Sequence, residues 1–371
     1  MAPRRQRPLL VALAATALAL AGRAAQDGWR PAALVVVGLL LGATLYGFSF
    51  GFAAAYRRLI VAGDTRGLRA QLPMLALATL LFAPGLSAGE LFGFPVGGAI
   101  APLGLQVAAG AFLFGIGMQL AGGCGSGTLY TAGGGSPRML AALAAFCAGS
   151  FWASLHMGRW QALPDAGEIV LGEALGWGNA AVLQGLTFLA LWLALRKRDS
   201  ARGRAGLDPL LAGGLLLALL NFATLALAGH PWTITWAFAL WGAKAAALAG
   251  WQPGTDAFWT APFQADALSS SVFGDVTSLM DFGILLGAAA FAAANGRFAP
   301  QWRIPPRSLA AAVIGGLLMG YGARIAFGCN IGAFFSGVAS TSLHGWLWFA
   351  MALAGSWLGV RLRPRFGLAN A

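Results

Sequence analysis

Charge is scarce in this chain. Asp, Glu, Lys and Arg make up 10% of its 371 residues, where a globular protein carries roughly 25%. Only 12 residues are acidic, and there are 3 His and 3 Cys. So little charge excludes a soluble enzyme and a disordered chain. So few Cys and His, with no CxxC and no Cys/His cluster, give no metal centre or redox relay. No ATP-binding motif is present, and no cofactor is expected. What the chain does have is apolar mass: 58% hydrophobic residues, a mean hydropathy of +0.72, 54 Gly and 14 Trp. That composition belongs to a protein embedded in a lipid bilayer.

The formal charge of +12 would in a soluble domain point to nucleic acid, but its distribution excludes that partner. Eighteen of the 24 Lys and Arg fall in five short clusters between apolar spans. These are Arg4, Arg5, Arg7; Arg57, Arg58, Arg66, Arg69; Arg196, Lys197, Arg198, Arg202, Arg204; Arg297, Arg303, Arg307; and Arg361, Arg363, Arg365. Short basic connectors mark cytoplasmic loops, so both termini are expected on the cytoplasmic side of the membrane. The connectors holding Glu90 and Asp165, Glu168 and Glu173 then belong on the far side.

A hydrocarbon core about 30 Å thick takes roughly 20 apolar residues per helix, and the continuous apolar runs predict helices rather than barrel strands. Spans are expected near 8–24, 32–55, 70–84, 98–121, 138–155, 180–196, 209–228, 232–250, 279–295, 308–327 and 345–361. The first reads as a retained span; its basic start and short apolar stretch also fit a signal peptide. Gly38-x-x-x-Gly42 and Gly47-x-x-x-Gly51 permit close helix contact.

The chain repeats itself. GAFLFGIGMQLAGGCGSG from Gly110 lies over GGLLMGYGARIAFGCNIG from Gly315, so that Gly115, Gly117, Gly123, Cys124 and Gly127 meet Gly320, Gly322, Gly328, Cys329 and Gly332. Around the first copy the loop at 56–69 holds four Arg and the loop at 85–97 none. Around the second the loop at 251–278 holds no Lys or Arg and 297–307 holds three Arg. The copies are therefore upside down relative to one another, the signature of many transporters. If every span crossed fully, those two later loops would fall on the wrong sides. At least one segment must be re-entrant, with 232–250 and 257–274 the candidates. The expected fold is an all-α polytopic membrane protein, an inverted-repeat helical bundle with re-entrant Gly/Cys loops. Its expected divisions are 1–31, an N-terminal span and connector; 32–160, the first transport repeat; 161–230, linking spans; and 231–371, the second, inverted repeat.

Chemistry is expected in the two stretches too polar for lipid, 122–138 and 328–345. Irregular backbone at membrane depth must be buried in protein or line a cavity. Each loop presents one thiol, Cys124 or Cys329, with Gly123, Gly125, Ser126, Gly127, Gly328, Asn330 and Gly332 around them. Small hydroxyls from Thr128, Ser336, Ser340, Thr341 and Ser342 are expected to join them. N–H groups at broken helix starts attract anions, and neutral thiols hold a soft anion without trapping it. Arg324 and Lys244 interrupt apolar spans and are expected either to supply positive potential or to be structurally paired. Cys147 has no counterpart in the second copy and reads as core filler. His344 reads as a satisfied loop histidine with proton carriage as the alternative, and Asp64 and Asp275 as helix caps.

At GGCGSGTLY and GCNIGAFFSGVASTSLHGWLWF the chain resembles the YeeE/YedE family of bacterial inner-membrane proteins. HPWTITWAFALWGAK and RIPPRSLAAAVIGGLLMGYGARIAFGCN look like its YedE branch. The resemblance covers most of residues 35–370. It implies uptake of thiosulfate, or of a related small sulfur-containing anion, through an hourglass-shaped helical body with cysteines along a central path. It implies Cys124 and Cys329 as the matching path cysteines, and a TusA-like cytoplasmic sulfurtransferase as a partner of some members. One departure is visible: the family's early motif resembling QRSxFC is matched by AAAYRRLIVAG, with Ile60 at the cysteine position. A relative handling another sulfur or selenium species fits the same residues. So does a membrane subunit that passes sulfur to a cytoplasmic sulfurtransferase.

Overall fold

The structure, a computed structural model, describes residues 6–201, 208–254 and 256–370. Arg4, Arg5, Arg202 and Arg204 of the basic clusters lie outside the described residues. With no water to receive backbone hydrogen bonds in hydrocarbon, apolar runs close on themselves as helices. The first half comprises α1 (Arg7–Ala25), α2 (Trp29–Gly47), α3 (Phe52–Ala62), α4 (Arg66–Ala88), α5 (Leu105–Ala121), α6 (Gly125–Gly133) and α7 (Pro137–Ser154). Two short helices, α8 (Met157–Gln161) and α9 (Leu171–Leu175), lead to α10 (Trp177–Ser200). The second half holds α11 (Leu210–Ala228), α12 (Thr235–Leu248), α13 (Pro262–Ser269), α14 (Val276–Ala294) and α15 (Pro306–Ile325). A π-helical turn (Asn330–Ser336), α16 (Gly337–Ala339) and α17 (Leu343–Leu362) complete it. Among the described residues nine helical stretches are long and apolar enough to cross a membrane. The chain is an all-α multi-pass membrane protein.

Glycine sets how the helices meet. A methyl on Gly42 of α2 would lie 2.1 Å from the Ile284 carbonyl oxygen of α14, and one on Gly38 would lie 2.5 Å from that of Met280, so the Gly38/Gly42 spacing does bring two backbones together. These pairings make α2 and α14 parallel. Helices α5 and α15 cross antiparallel, Gly110 on Gly322 and Gly117 on Gly315. Each contact is the other's repeat image. The same exchange relates α5 with α17 to α15 with α7: a methyl on Gly115 would lie 2.2 Å from the Ala352 oxygen, and one on Gly320 would lie 2.1 Å from that of Phe146. The bundle is thus an inverted repeat in its contacts as well as in its sequence.

One end of the bundle is basic. Arg138 donates to the carbonyls of Leu120 and Ala121 and, at 2.8 Å, to Ser308 Oγ; Arg363 donates to the Gln119 carbonyl; and Arg69 pairs with Asp199 at 3.0 Å. At the other end Pro102–Gly104 pairs with Asp165–Glu168, and Trp259 donates to Ser154 Oγ at 2.7 Å. The loops 251–278 and 297–307 therefore lie at the ends their charge demands.

Helix α12 resolves the conflict in the span count. From the end of α11 the chain turns back inward, where the Trp232 N–H donates to Asn221 Oδ1 at 2.8 Å, and α12 leaves by the end it entered. Of the two candidates, 232–250 is the re-entrant one; 257–274 forms α13 and its connectors at the non-basic end. The expected single span 32–55 is corrected likewise. It breaks at 48–51, and α3 leaves towards the basic end, because Gly51 and the buried Phe50 and Phe52 make a turn that packs inside protein. The span near 98–121 shortens to α5, since 98–101 is not helical and Pro102–Gly104 is drawn into the short sheet. Apolar α10 turns Val182, Leu183, Leu186 and Leu189 outward, as a lipid-facing helix must. Helix α1 packs on α2 and α14 through Leu20 and Ala24.

The glycine contacts are testable. Gly320→Ala is expected to destabilise the detergent-solubilised protein by about 1–3 kcal/mol through overpacking. Gly185→Ala, where nothing lies within 4 Å, leaves thermal unfolding unchanged or slightly improved.

Candidate functional site

The four re-entrant segments begin in the middle of the bundle. Cys124 is the N-cap of α6 and Cys329 the N-cap of the π-helical turn, and both hold extended backbone with ψ of −166° and −163°. The turns that deliver them need glycine. Gly122 ends α5 at φ +85°, and Gly328 sits at φ +149°, where a methyl would also lie 2.7 Å from the Ala333 nitrogen. A π-helical turn is itself rare and concentrates at functional sites.

Both thiols are buried, at 1% and 0% exposure, and the loops meet. The Cys329 sulfur lies 3.0 Å from the point a methyl on Gly125 would occupy, so the residue after Cys124 must be glycine for the two loops to touch. Polar groups then face sulfur. Ser126 Oγ lies 3.4 Å from Cys124 Sγ, and the Gly127 and Phe52 N–H groups point at the same sulfur. The Ile331 N–H donates to Cys329 Sγ at 3.4 Å. Phe52 begins α3 and Ile331 belongs to the π-helical turn, so three of the four helix starts address a thiol. The fourth, Thr235 of α12, lies against Gly125.

Long helices hold these starts in place. Gln119 of α5 donates to the Ala53 carbonyl at 3.0 Å, Trp348 of α17 to the Gly328 carbonyl at 3.2 Å, and Asn330 Nδ2 to the Tyr56 hydroxyl at 3.3 Å. A closed polar triangle fixes the non-basic half: Asn221 Nδ2 donates to Ser336 Oγ at 3.2 Å, Ser336 to the Trp232 carbonyl at 2.8 Å, and the Trp232 N–H to Asn221 Oδ1.

A cavity of about 290 Å³ opens from the non-basic end. His230, Thr233, Thr235, Trp236, Thr277 and Arg324 are among the residues that line it. Thr233 touches Gly332 and Thr235 touches Gly125, so its floor is the thiol loops. Arg324 is half-buried, its Nε has no hydrogen-bond partner among the described residues, and its guanidinium sits 5.2 Å from the Phe258 ring. It is a cation at the mouth, not at the centre.

The other expected residues fall elsewhere. Lys244 is not at the thiols, because its Nζ caps the end of α13 through the carbonyls of Leu268 at 2.7 Å and Ser270 at 2.6 Å. Of the hydroxyls only Ser126 addresses sulfur. Thr128 bonds the Cys124 carbonyl, Ser336 that of Trp232, Ser340 and Thr341 accept the N–H groups of Ala99 and Gly172, and Ser342 is within 2.8 Å of His344 Nδ1. His344 is thus partnered away from the thiols. Cys147 is half-buried in α7 beside Gly242, outside the loop pair. Asp275 caps α14 through the Ser278 N–H at 2.7 Å, and Asp64 binds Arg66 at 2.7 Å, which holds its carboxyl down at about 2. Tyr56, Asn221, Trp232 and Trp348 were not legible as site residues; an isolated Asn in the apolar run LLNFAT was the available signal.

Four broken helices meeting at paired loops within an inverted repeat make a membrane transport fold. Residues 49–358 match the sulphur transport family model, and the chain belongs to that family, the YeeE/YedE proteins. It is 28% identical to the thiosulfate transporter TsuA of Spirochaeta thermophila over 87% of this chain and 96% of that protein. It is 24% identical to the thiosulfate transporter TsuA of Escherichia coli over 89% and 95%. The probable transporter YedE of Escherichia coli is 38% identical over 36% of this chain and 32% of its own length. The protein is a transporter of the sulfur class, not an enzyme.

Ser336→Ala opens the polar triangle and leaves the Trp232 carbonyl and Asn221 Nδ2 buried without partners. The expected loss is about 1–3 kcal/mol, read as a lower melting temperature in detergent, with Ser336→Thr closer to wild type than Ser336→Ala.

Proposed function

We propose that the protein imports thiosulfate, or a closely related small sulfur anion, along a central path through Cys124 and Cys329. The observation that carries this reading is the meeting of two buried thiols at the starts of four half-helices. Each helix start contributes roughly half a positive charge, so the centre attracts an anion without a resident lysine or arginine. The thiols offer S–H donors and a polarizable surface that suits a terminal sulfur better than an oxygen. Binding stays weak enough for release, as conduction requires. Arg324 draws the anion into the cavity above Thr233 and Thr235. From there it passes Gly332 and Gly125 to the sulfurs, with Gly123, Ser126, Gly127, Gly328 and Asn330 shaping the passage.

The basic end lies in the cytoplasm of a bacterial inner membrane, with both termini on that side. Residues 32–160 form the first transport half. The second half, counted from 231, extends back to α11, which stands to α12 as α2 stands to α3. A TusA-like sulfurtransferase would receive the sulfur at the basic end. One observation favours a second reading, in which the protein passes sulfur or selenium species to such a partner without conducting alone. Ile60 occupies the position of the family's early cysteine, near the basic end of α3.

The test is labelled thiosulfate uptake into liposomes holding the purified protein, with sulfate, sulfite and selenite as competitors. Wild type is expected to take up label. Cys124→Ala and Cys329→Ala, folded in the membrane, are expected to lose it. Normal uptake by Cys329→Ala would remove the thiol path, and inactivity of wild type alone would favour the second reading.

A further inference from the structure

The most isolated polar side chain in the bundle is Asp281. It sits well inside α14 at 0% exposure, and neither carboxylate oxygen has a hydrogen-bond partner among the described residues. Its titratable neighbours are Cys147 of α7, Cys329 at the central loop, and Asp275 at the start of its own helix. Of the other charged groups on helices packed against α14, Arg30 of α2 lies over the Phe94 ring and Arg7 stands at the opposite end of α1 from its Leu20 and Ala24 contact. Lys244 of α12 holds the carbonyls of Leu268 and Ser270, Arg23 of α1 pairs with Asp27, and Tyr46 of α2 packs edge to face on Tyr130 of α6. A bare carboxylate in such surroundings costs several kcal/mol, a cost that a bound proton removes.

The end of α14 nearest Asp281 borders open space. Thr277 lies one turn earlier on the same face of α14 and lines the 290 Å³ cavity as well as a second one of about 560 Å³ between His230, Asp266 and Asp275. Asp281 is therefore about one 5.4 Å helical pitch from a cavity-lining residue. The inverted half supplies the contrast. Counted from the helix starts, Gln71 of α4 occupies the matching place, buried and with Oε1 unpartnered, and it cannot titrate. One half carries a proton site and the other its neutral counterpart.

We propose that Asp281 is a proton-binding site linked to the anion site, so that one proton accompanies the anion through the protein. This rests on the transport reading. Four helix starts supply roughly two positive charges in all, which balances a doubly charged anion beside Cys329 only when Asp281 is neutral. Linkage is reciprocal: a bound anion strengthens proton binding, and a bound proton strengthens anion binding. An O–H bond forms at the Asp281 carboxylate with a proton from the non-basic side and breaks on release to the basic side; no electrons are transferred.

The experiment uses the full-length protein in liposomes with a trapped pH dye and labelled thiosulfate. An inward thiosulfate gradient is expected to acidify the lumen of wild-type vesicles. The half-saturating thiosulfate concentration should rise about tenfold as the external solution goes from mildly acidic to mildly alkaline. In Asp281→Asn the proton signal and the pH dependence vanish, while exchange of labelled for unlabelled thiosulfate persists. Labelled uptake by wild type without proton movement overturns the proposal and leaves the transport reading intact. Absence of uptake by wild type overturns both. Infrared difference spectra give a second readout: a protonated carboxyl band, lost in Asp281→Asn and displaced in Asp281→Glu, that thiosulfate shifts in wild type. An ionised Asp281 in the thiosulfate-bound protein refutes the linkage.

Discussion

Everything at the centre of this protein depends on one constraint: backbone that is not helical must find partners where there is no water. Four helices begin in mid-bundle, and each leaves N–H groups unsatisfied. The chain meets the constraint by bringing long helices so close that their side chains reach the broken ends. Gln119 takes the Ala53 carbonyl, and Trp348 takes that of Gly328. That reach exists only because Gly110, Gly117, Gly315 and Gly322 let α5 and α15 touch backbone to backbone. A side chain at any of them would push the two halves apart and open the centre to collapse or to lipid.

Symmetry built the site, and departures from symmetry give it direction. The cysteines share one backbone conformation and the glycines beside them share contacts: Gly123 lies over Gly127 and Thr128 as Gly328 lies over Gly332 and Ala333. Their surroundings differ. Cys124 has a hydroxyl beside it, from Ser126. Cys329 is followed by Asn330, which binds Tyr56. Arg324 stands at only one mouth, since the residue at the matching place in the first copy is Gln119, which has been recruited to hold α3. The two ends of the proposed path therefore present different chemistry to an arriving anion.

The sequence carried the bundle well and the site in part. Length and apolarity mark the spans because the bilayer core has one thickness, and the GCGSG and GCNIG loops stand out because few residues other than glycine fit a close backbone approach. The sidedness conflict also called for a re-entrant segment at 232–250 or 257–274, and α12 supplies the first. The break at Phe48–Gly51 escaped notice because its residues are as apolar as the helices around it; hydropathy reports burial, not continuity. For Lys244 the sequence left pairing and positive potential open for a related reason: its carbon stem lies in an apolar run while its Nζ reaches carbonyls twenty or more residues away. Asn221 and Asp281 were visible as lone polar residues in apolar runs, but which loop or thiol each would face is a tertiary fact that spacing does not encode.

An anion crossing a low-dielectric centre sets two opposing demands. It must be attracted strongly enough to shed water, yet a fixed cation at the midpoint would hold it, since Coulomb attraction at close range is many times stronger inside protein than in solution. The arrangement of charge in this bundle meets both. Arg324, the cation that lines the cavity, lies at its mouth. The thiols interact through S–H donors and polarizability, not through charge. Helix starts are fixed dipoles that attract an anion without forming an ion pair. Because these groups are already oriented by the long helices, an anion on the proposed path can move between them with little rearrangement of the protein, and the same rigidity would let the proton site proposed at Asp281 govern whether it enters.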